Sequence, residues 1–423
     1  MAETQKNSFL NSISSSLDAV LREEYDNLKI SRSYLYPLSE PTYDKAEILN
    51  SLDSLLSFNT TMGKKVRQFE ELFAKEFGGE AIMVNSGSSA DLLISLALNE
   101  KYGGPLRDGS EVLVPAVTWP TQIWSLLMAG FKVRLIDINL TNLNLSEDYF
   151  ENAINEKTSA LFVVNLLGNS ANMDRVKSIC DQNNLLLFED CCESFGSKWK
   201  NRYLGTFGIA SSFSFFFSHH LVTMEGGMIF TVDKQLADRI RLLRAHGWSR
   251  AINNKLPISI PFNERYEFVS QGLNVRPTEI QGAFGISQWQ KRKIFENQRN
   301  IIAKKLQAIT ENSQGWLSTM QVSSNSHVSW FAFPILISQQ APFSRDEIIN
   351  YLELKKIETR PIIAGNLAQQ PAVKSSNEVT YSKLPNADFV NENGFYIGIN
   401  PVTSDDVIEK VVNIFIDFIE QKS

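Results

Sequence analysis

The sequence predicts an α/β protein: a large, mostly parallel sheet with helices on both faces, then a smaller C-terminal α/β unit. Three observations carry that expectation. Short apolar runs alternate with segments of helical periodicity from about residue 81 onward. The runs are apolar at nearly every position rather than at every second one, the mark of strands buried on both faces. After about Gln290 the rhythm changes to longer helices around a few short strands, so a second body is expected there.

The elements follow in order. Leu10, Ile13, Leu17, Val20, Leu21 and Leu28 recur at helical spacing over residues 7–30, and Pro37 and Pro41 close this arm. A helix is expected from Lys45 to Leu56 and another over Gln68–Phe77, stopped by Gly78-Gly79. Ala81–Val84 reads as a strand, Ser86-Gly-Ser-Ser89 as a turn and Leu92–Leu98 as a helix. Glu111–Val114 is the next strand and Thr121–Met128 its helix. Strands at Lys132–Ile136, Ser159–Val164 and Leu185–Phe188 are separated by helices at Glu147–Ile154 and Asp174–Gln182. Ser211–Phe217 and Met228–Val232 extend the sheet, and Lys234–Arg244 is helical. Beyond them, helices at Arg292–Thr310, Arg345–Lys355 and Asp405–Glu420 surround strands at Phe331–Ile337 and Phe395–Ile397. The division expected is an N-terminal helical arm (1–42), a large domain (43–289) and a small domain (290–423).

Composition narrows the function. The chain has 423 residues, 43% of them hydrophobic, ample for a large core. A net charge of -6 offers no basic field for nucleic acid. No apolar run approaches the ~20 residues of a membrane span. The N-terminus lacks the basic-then-apolar pattern of a signal peptide, which points to the cytoplasm. Cys180, Cys191 and Cys192 form no disulfide framework, and four histidines supply a zinc site poorly.

Three motifs stand out. Asn85-Ser-Gly-Ser-Ser89 follows a strand and opens a helix, which suits either an anion cradle or an ordinary serine-rich cap. It is neither a P-loop nor a dinucleotide fingerprint. Glu189-Asp190 ends an apolar strand, where a carboxylate can hold a pyridinium nitrogen or simply cap the next turn. A Phe-rich strand leads to Ser218-His219-His220 and then to Glu225-Gly-Gly227. Two of only four histidines at one strand end favour a chemical role, histidine being the side chain with the most tunable charge near neutrality.

These segments resemble the sugar aminotransferase family of fold type I enzymes dependent on pyridoxal phosphate. The resemblance rests on Ser86-Gly-Ser-Ser89, Pro115-Ala-Val-Thr-Trp119, Glu189-Asp190, Phe213-Ser214, Glu225-Gly-Gly227 and Gly272-Leu-Asn274-Val-Arg276-Pro-Thr-Glu279-Ile-Gln281. It implies a PLP-dependent fold of the aspartate aminotransferase type. It also implies phosphate binding by Gly87, Ser88 and Ser214, ring stacking by Trp119, pairing of the ring nitrogen with Asp190 and contact of Glu193 with the ring hydroxyl side. Asn274 resembles a residue that reaches the phosphate of a neighbouring subunit, which implies a homodimer with shared sites.

One departure decides the chemistry expected. Where the aminotransferases carry the lysine that binds the cofactor covalently, this chain has His219, and no lysine occurs between Lys200 and Lys234. Histidine cannot form an imine but can shuttle protons. The substitution, with Arg244-Ala-His-Gly-Trp248 and Arg360-Pro-Ile-Ile-Ala-Gly-Asn366, resembles the sugar 3-dehydratase branch. That branch implies removal of the C3 hydroxyl from a 4-keto-6-deoxy sugar nucleotide, with GDP-4-keto-6-deoxy-D-mannose expected, L-glutamate as amino donor and His219 as the base. The setting implied is deoxysugar synthesis for lipopolysaccharide O-antigen. A sister branch carries an iron–sulfur cluster on four cysteines, one near the Cys192 position and three in an insert. Trp248–Phe268 contains no cysteine here, so no cluster is expected. His246 and Arg250, in a basic turn, are expected near the sugar or its diphosphate. His220 stands between a structural hydrogen bond and a substrate contact, and His327 reads as structural. Two rival functions remain at this point: an ordinary sugar-nucleotide aminotransferase, and a non-catalytic protein of the same fold.

Overall fold

The structure is a computed structural model and describes residues 2–252 and 259–423. At its centre lies an eight-stranded sheet in the order Glu80–Val84, Gly227–Thr231, Ser211–Ser214, Leu186–Asp190, Thr158–Val164, Glu111–Pro115, Lys132–Ile136 and Val379–Tyr381. Gly227–Thr231 is antiparallel to both neighbours, and the other pairings are parallel. Successive side chains of a strand point to opposite faces. Ile82, Val84, Val112, Val114 and Phe162 therefore enter one apolar core, while Ala81, Met83, Leu113, Leu161 and Val163 enter a second core behind the sheet. Both faces are buried, as the continuous apolar runs required.

A smaller antiparallel sheet, in the order Leu317–Ser318, Ala332–Ile337, Gly394–Gly398 and Thr359–Arg360, forms the second body. The two sheets share one long helix, Glu279–Glu311, whose early turns pack on the helices Lys45–Leu56 and Lys64–Phe77 and whose later part packs on Asp405–Glu420. The sequence pattern placed a helix only from Arg292. It begins thirteen residues earlier because Thr278 caps it, with Gln281 completing a reciprocal capping box. Gly282 and Gly285, which lower helix propensity, sit where a Cβ would come within 2.6 Å of the Val66 nitrogen and the Phe69 ring. They are there for close approach, not for flexibility.

Other differences are local. The strand expected over Ser211–Phe217 stops at Ser214, since Phe215 onward turns back to bond Gly226 and Thr223. Val379–Tyr381 was not anticipated and adds the last strand to the large sheet from late in the chain.

The N-terminal helix runs Ala2–Ser31 and lies against Lys45–Leu56. Leu10, Ile13, Leu17 and Leu21 are half-buried, whereas Val20 and Leu28, assigned by spacing to the same stripe, are exposed. Ion pairs Lys6–Asp53 (2.6 Å) and Arg32–Glu40 (2.9 Å) fasten it at both ends. Tyr36 then bridges to Ile357, and its hydroxyl donates to the Gly398 carbonyl at 2.7 Å. Among the described residues no helix is long and apolar enough to cross a membrane.

Candidate active site

The C-terminal ends of the central strands, where loops of an α/β sheet converge, surround a cavity of about 420 Å³. Three turns supply most of its wall. The first follows Glu80–Val84. Ser86 has extended backbone, and its Oγ accepts from the Ser89 N–H at 3.1 Å, capping the Gly87–Leu98 helix. Gly87 and Ser88 occupy the first two helical positions, whose N–H groups have no intrahelical acceptor. A Cβ at Gly87 would lie 2.6 Å from Ser214 Cβ and 3.0 Å from Cys192 Sγ. The bare backbone there is a concave seat between two strand ends, so cap and cradle are one device.

The second turn follows Leu186–Asp190. Glu189 is wholly buried, and its two oxygens accept from the N–H groups of Phe207 (2.7 Å), Gly205 (2.8 Å) and Gly208 (2.9 Å) and from Asn165 (3.1 Å). It fixes the following loop and does not line the cavity. Asp190 does; it is 4% exposed, and the Cys192 N–H donates to its Oδ1 at 2.7 Å. Burial pushes Asp190 up to about 6 against that hydrogen bond. Burial likewise pushes Glu193 up to about 8, although its Oε2 accepts the Leu167 N–H at 2.9 Å. Cys192 lines the cavity, while Cys180 and Cys191 lie in the core behind the sheet. Among the described residues no group of three or more His, Cys, Asp or Glu side chains could hold a metal ion.

The third turn follows Ser211–Ser214 and carries His219, whose N–H closes the turn on the Phe216 carbonyl at 2.9 Å. Its ring sits 5.2 Å from Phe331 and 5.9 Å from Phe216. Burial, helped by the Arg299 cation, pushes His219 down to about 3, well below the near-neutral value expected of a free imidazole. The ring is therefore neutral at physiological pH. Nδ1 is sealed and has no partner among the described residues, which leaves Nε2 as the nitrogen for exchange.

Gly87, Ser88, Trp119, Asp190, Glu193, Ser214 and His219 thus line one cavity. Trp119, 57% exposed, forms part of its rim. Four further sequence-predicted residues lie elsewhere. His220 is buried, and its Nε2 bonds the Ser329 carbonyl at 2.9 Å. Of the two roles open to it, this is the structural hydrogen bond: consecutive residues on a tight turn face different ways, and His219, not His220, lines the cavity. His246, Arg250 and Asn274 are exposed and make one surface strip. Ala245 bridges to Asn274, Arg276 Nε donates to Asn274 Oδ1 at 2.9 Å, and Arg250 lies 5.3 Å over the Trp248 ring. The Asn85 N–H bonds the Val275 carbonyl at 3.0 Å, tying this strip to the cradle turn. His327 pairs with Glu296 at 2.6 Å on the surface.

Several wall residues escaped the sequence reading. Asp91, 1% exposed, has one oxygen accepting from Gln122 at 3.3 Å. A lone carboxylate in an otherwise apolar helix (Leu92-Leu-Ile) was the available signal. Phe331, Ile363 and Tyr396 come from the smaller body and carry no such mark. Ile363 holds φ 50°, unusual for a β-branched residue. It is held there because the next turn docks on the large sheet, the Leu367 N–H bonding the Ala116 carbonyl at 2.9 Å.

These residues fit pyridoxal phosphate. A helix N-terminus with a Cβ-free seat suits its phosphate, and a buried carboxylate suits its ring nitrogen. Among the described residues lining the cavity there is no lysine. The comparisons agree with that geometry. The chain is 36% identical over 388 residues to GDP-4-keto-6-deoxy-D-mannose 3-dehydratase of Yersinia pseudotuberculosis, covering 90% of this chain and 97% of that one. Its structure superposes with a TM-score of 0.85 on a GDP-4-keto-6-deoxymannose-3-dehydratase holding a trapped PLP-glutamate geminal diamine, at 35% identity over 90% of this chain and 100% of the other. A variant of such an enzyme with bound GDP-perosamine gives the same TM-score, identity and coverage. The model of the DegT/DnrJ/EryC1/StrS aminotransferase family matches residues 41–416, and with the fold and the cavity in agreement the chain belongs to that family.

Proposed function

We propose that the chain is a pyridoxal-phosphate-dependent dehydratase that removes the C3 hydroxyl of GDP-4-keto-6-deoxy-D-mannose, with L-glutamate as amino donor. The products are the 4-keto-3,6-dideoxy sugar nucleotide, 2-oxoglutarate and ammonia. The observation that carries the proposal is His219 in a lysine-free cavity beside Asp190.

The cofactor, when bound, supplies an electron sink and, in its amine form, a nitrogen able to join the C4 ketone. Gly87, Ser88 and Ser214 would hold its phosphate, Trp119 would cover its ring, and Asp190 would face the ring nitrogen. Glu193, kept protonated by burial near pH 7, has a hydrogen to donate on the ring hydroxyl side. His219 takes up a proton at Nε2 and returns it to the departing C3 oxygen, so that water leaves instead of hydroxide. Val164, Leu166, Phe331 and Ile363 give the cavity apolar walls that limit competing hydrolysis. A lysine here would capture the cofactor aldehyde; an imidazole leaves it available to glutamate.

A homodimer and a cytoplasmic location belong to the same proposal. The strip of His246, Arg250 and Asn274, tied to the cradle turn yet facing outward, supports delivery to a partner's site. Exposed Tyr43, Phe217 and Met224, which line a second groove, are apolar surface of the kind an interface covers. The three thiols form no disulfide, in keeping with a reducing compartment.

The test is incubation of the holoenzyme with GDP-4-keto-6-deoxy-D-mannose and glutamate. Expected are loss of the 3-hydroxyl and stoichiometric ammonia and 2-oxoglutarate, with activity down at least ~100-fold in His219→Asn. Accumulation of a 4-amino sugar nucleotide as the main product of the parent enzyme would make it an aminotransferase instead.

A further inference from the structure

Arg299 stands in the middle of the Glu279–Glu311 helix, 3% exposed, and no carboxylate among the described residues pairs with it. A buried cation normally has a counter-charge, because leaving water is costly for it. Here Nη1 and Nη2 of the guanidinium bond main-chain carbonyls, while Nε finds no partner among the described residues. Nη1 donates to Ile399 at 2.7 Å, Phe331 at 3.2 Å and Trp330 at 3.3 Å, and Nη2 donates to His219 at 3.3 Å. Burial pushes the group down to about 10, so it stays charged at neutral pH.

The four acceptors come from three separate places. His219 lies in the turn after Ser211–Ser214 of the large sheet. Trp330 and Phe331 lead into Ala332–Ile337, and Ile399 follows Gly394–Gly398, neighbouring strands of the small sheet. One planar fork thus fixes the backbone of the proposed base relative to the aromatic wall 5.2 Å from its ring. An arginine is suited to this because its donors diverge in a rigid plane, whereas a lysine presents one point of attachment. A neutral side chain would leave carbonyls without the charge-assisted bonds that set their direction.

We infer that Arg299 is a positioning residue: by gripping the His219 carbonyl together with those of Phe331 and Ile399, it sets the place of the His219 imidazole in the cavity relative to the wall that the small body supplies. The inference rests on His219 being the base of the proposed reaction.

The test compares the holoenzyme with Arg299→Lys and Arg299→Gln. Folding is checked by melting temperature, and cofactor binding by absorbance titration. Both variants are expected to bind cofactor within about threefold of the parent and to keep KM within about threefold, while kcat falls about 10- to 100-fold, the size of effect that misplacing a reacting group by an ångström produces. Arg299→Lys is expected to retain more of kcat than Arg299→Gln. A readout independent of the reaction is the histidine ring signal in NMR, resolvable because the chain has only four histidines. The signal that disappears in His219→Asn is expected to shift in Arg299→Lys, while those of His246 and His327, on the surface, stay in place. An unchanged kcat in folded, loaded Arg299→Lys overturns the inference. So does an unmoved His219 signal, or a kcat loss no larger than the loss of cofactor. If the parent enzyme fails to dehydrate the sugar nucleotide, the proposed function fails, and the NMR comparison still decides the role of Arg299.

Discussion

His219 and Glu193 line the same cavity and respond to burial in opposite ways. Both are driven toward their neutral forms, the imidazole down to about 3 and the carboxyl up to about 8. The unfolded chain titrates its histidine near ~6.5 and its glutamate near ~4.3. For His219 the stability due to neutrality is present above ~6.5 and is lost as pH falls toward 3. For Glu193 it is present below ~4.3 and is lost as pH rises toward 8, levelling off beyond. Glu193→Gln removes only the second contribution. In cofactor-free protein its melting temperature is therefore expected to rise relative to the parent between about pH 5 and pH 8 and then hold a constant difference, measured by a thermal shift series. A difference that does not change with pH would mean that Glu193 is ionised in the folded chain. The same two residues show how chemistry became legible in the sequence. Polar side chains that interrupt a Phe-rich or Leu-rich strand end are conspicuous, and Asp190 and the pair His219-His220 stood out that way, whereas Ser214 and Glu193 came only with the family resemblance. The direction of His220 was not, because adjacent residues in a turn diverge and only packing against Ser329 decides which one turns inward. Asp91 was visible but overlooked, and Phe331 and Ile363 look like any core residue until the smaller body folds over the larger.

Among the elements, strands such as Glu80–Val84, Glu111–Pro115 and Thr158–Val164 were readable because burial on both faces leaves a nearly continuous apolar run. Val379–Tyr381 was not, since it is three residues long and only Val379 is buried. The long Glu279–Glu311 helix was cut short in the reading for a physical reason. Gly282 and Gly285 weaken local propensity, yet they are where the helix presses on Lys64–Phe77. A glycine in a helix interior ordinarily costs roughly 0.5–1 kcal/mol relative to alanine. Gly282→Ala is nonetheless expected to destabilise, by about 1–3 kcal/mol, because the added Cβ meets the Val66 backbone nitrogen and backbone cannot swing aside. Urea denaturation decides it, and a gain in stability would show that the two helices have room to separate. The N-terminal helix, by contrast, announced itself through its spacing but not its limits. Residues of the stripe that do not reach Lys45–Leu56 remain exposed, as Val20 and Leu28 do.

For the molecule as a whole, the proposed dimer makes a prediction that a monomeric enzyme cannot satisfy. His219→Asn disables the base within its own cavity, while Asn274→Asp would place a negative charge against the phosphate held by the other chain. Each variant alone is expected to be nearly inactive. Unfolded together and refolded at equal ratio, half the dimers are mixed, and each mixed dimer has one intact site, so about a quarter of parental activity should return. No recovery, with both variants folded and mixed dimers demonstrated, would place Asn274 in its own chain's site. The family model matches from residue 41, so the helix Ala2–Ser31 lies outside the part that the model covers. It nevertheless leads into Tyr36, which meets Ile357 and Gly398 at the far end of the chain. The order of synthesis makes that closure costly. While the chain is still on the ribosome, Lys132–Ile136 is an unpaired sheet edge until Val379–Tyr381 emerges, and Tyr36 waits for residue 398. Completion of this sheet and of the Tyr36 contact thus waits for residues 379–398, and nascent fragments that stall before residue 381 carry an open strand that invites aggregation.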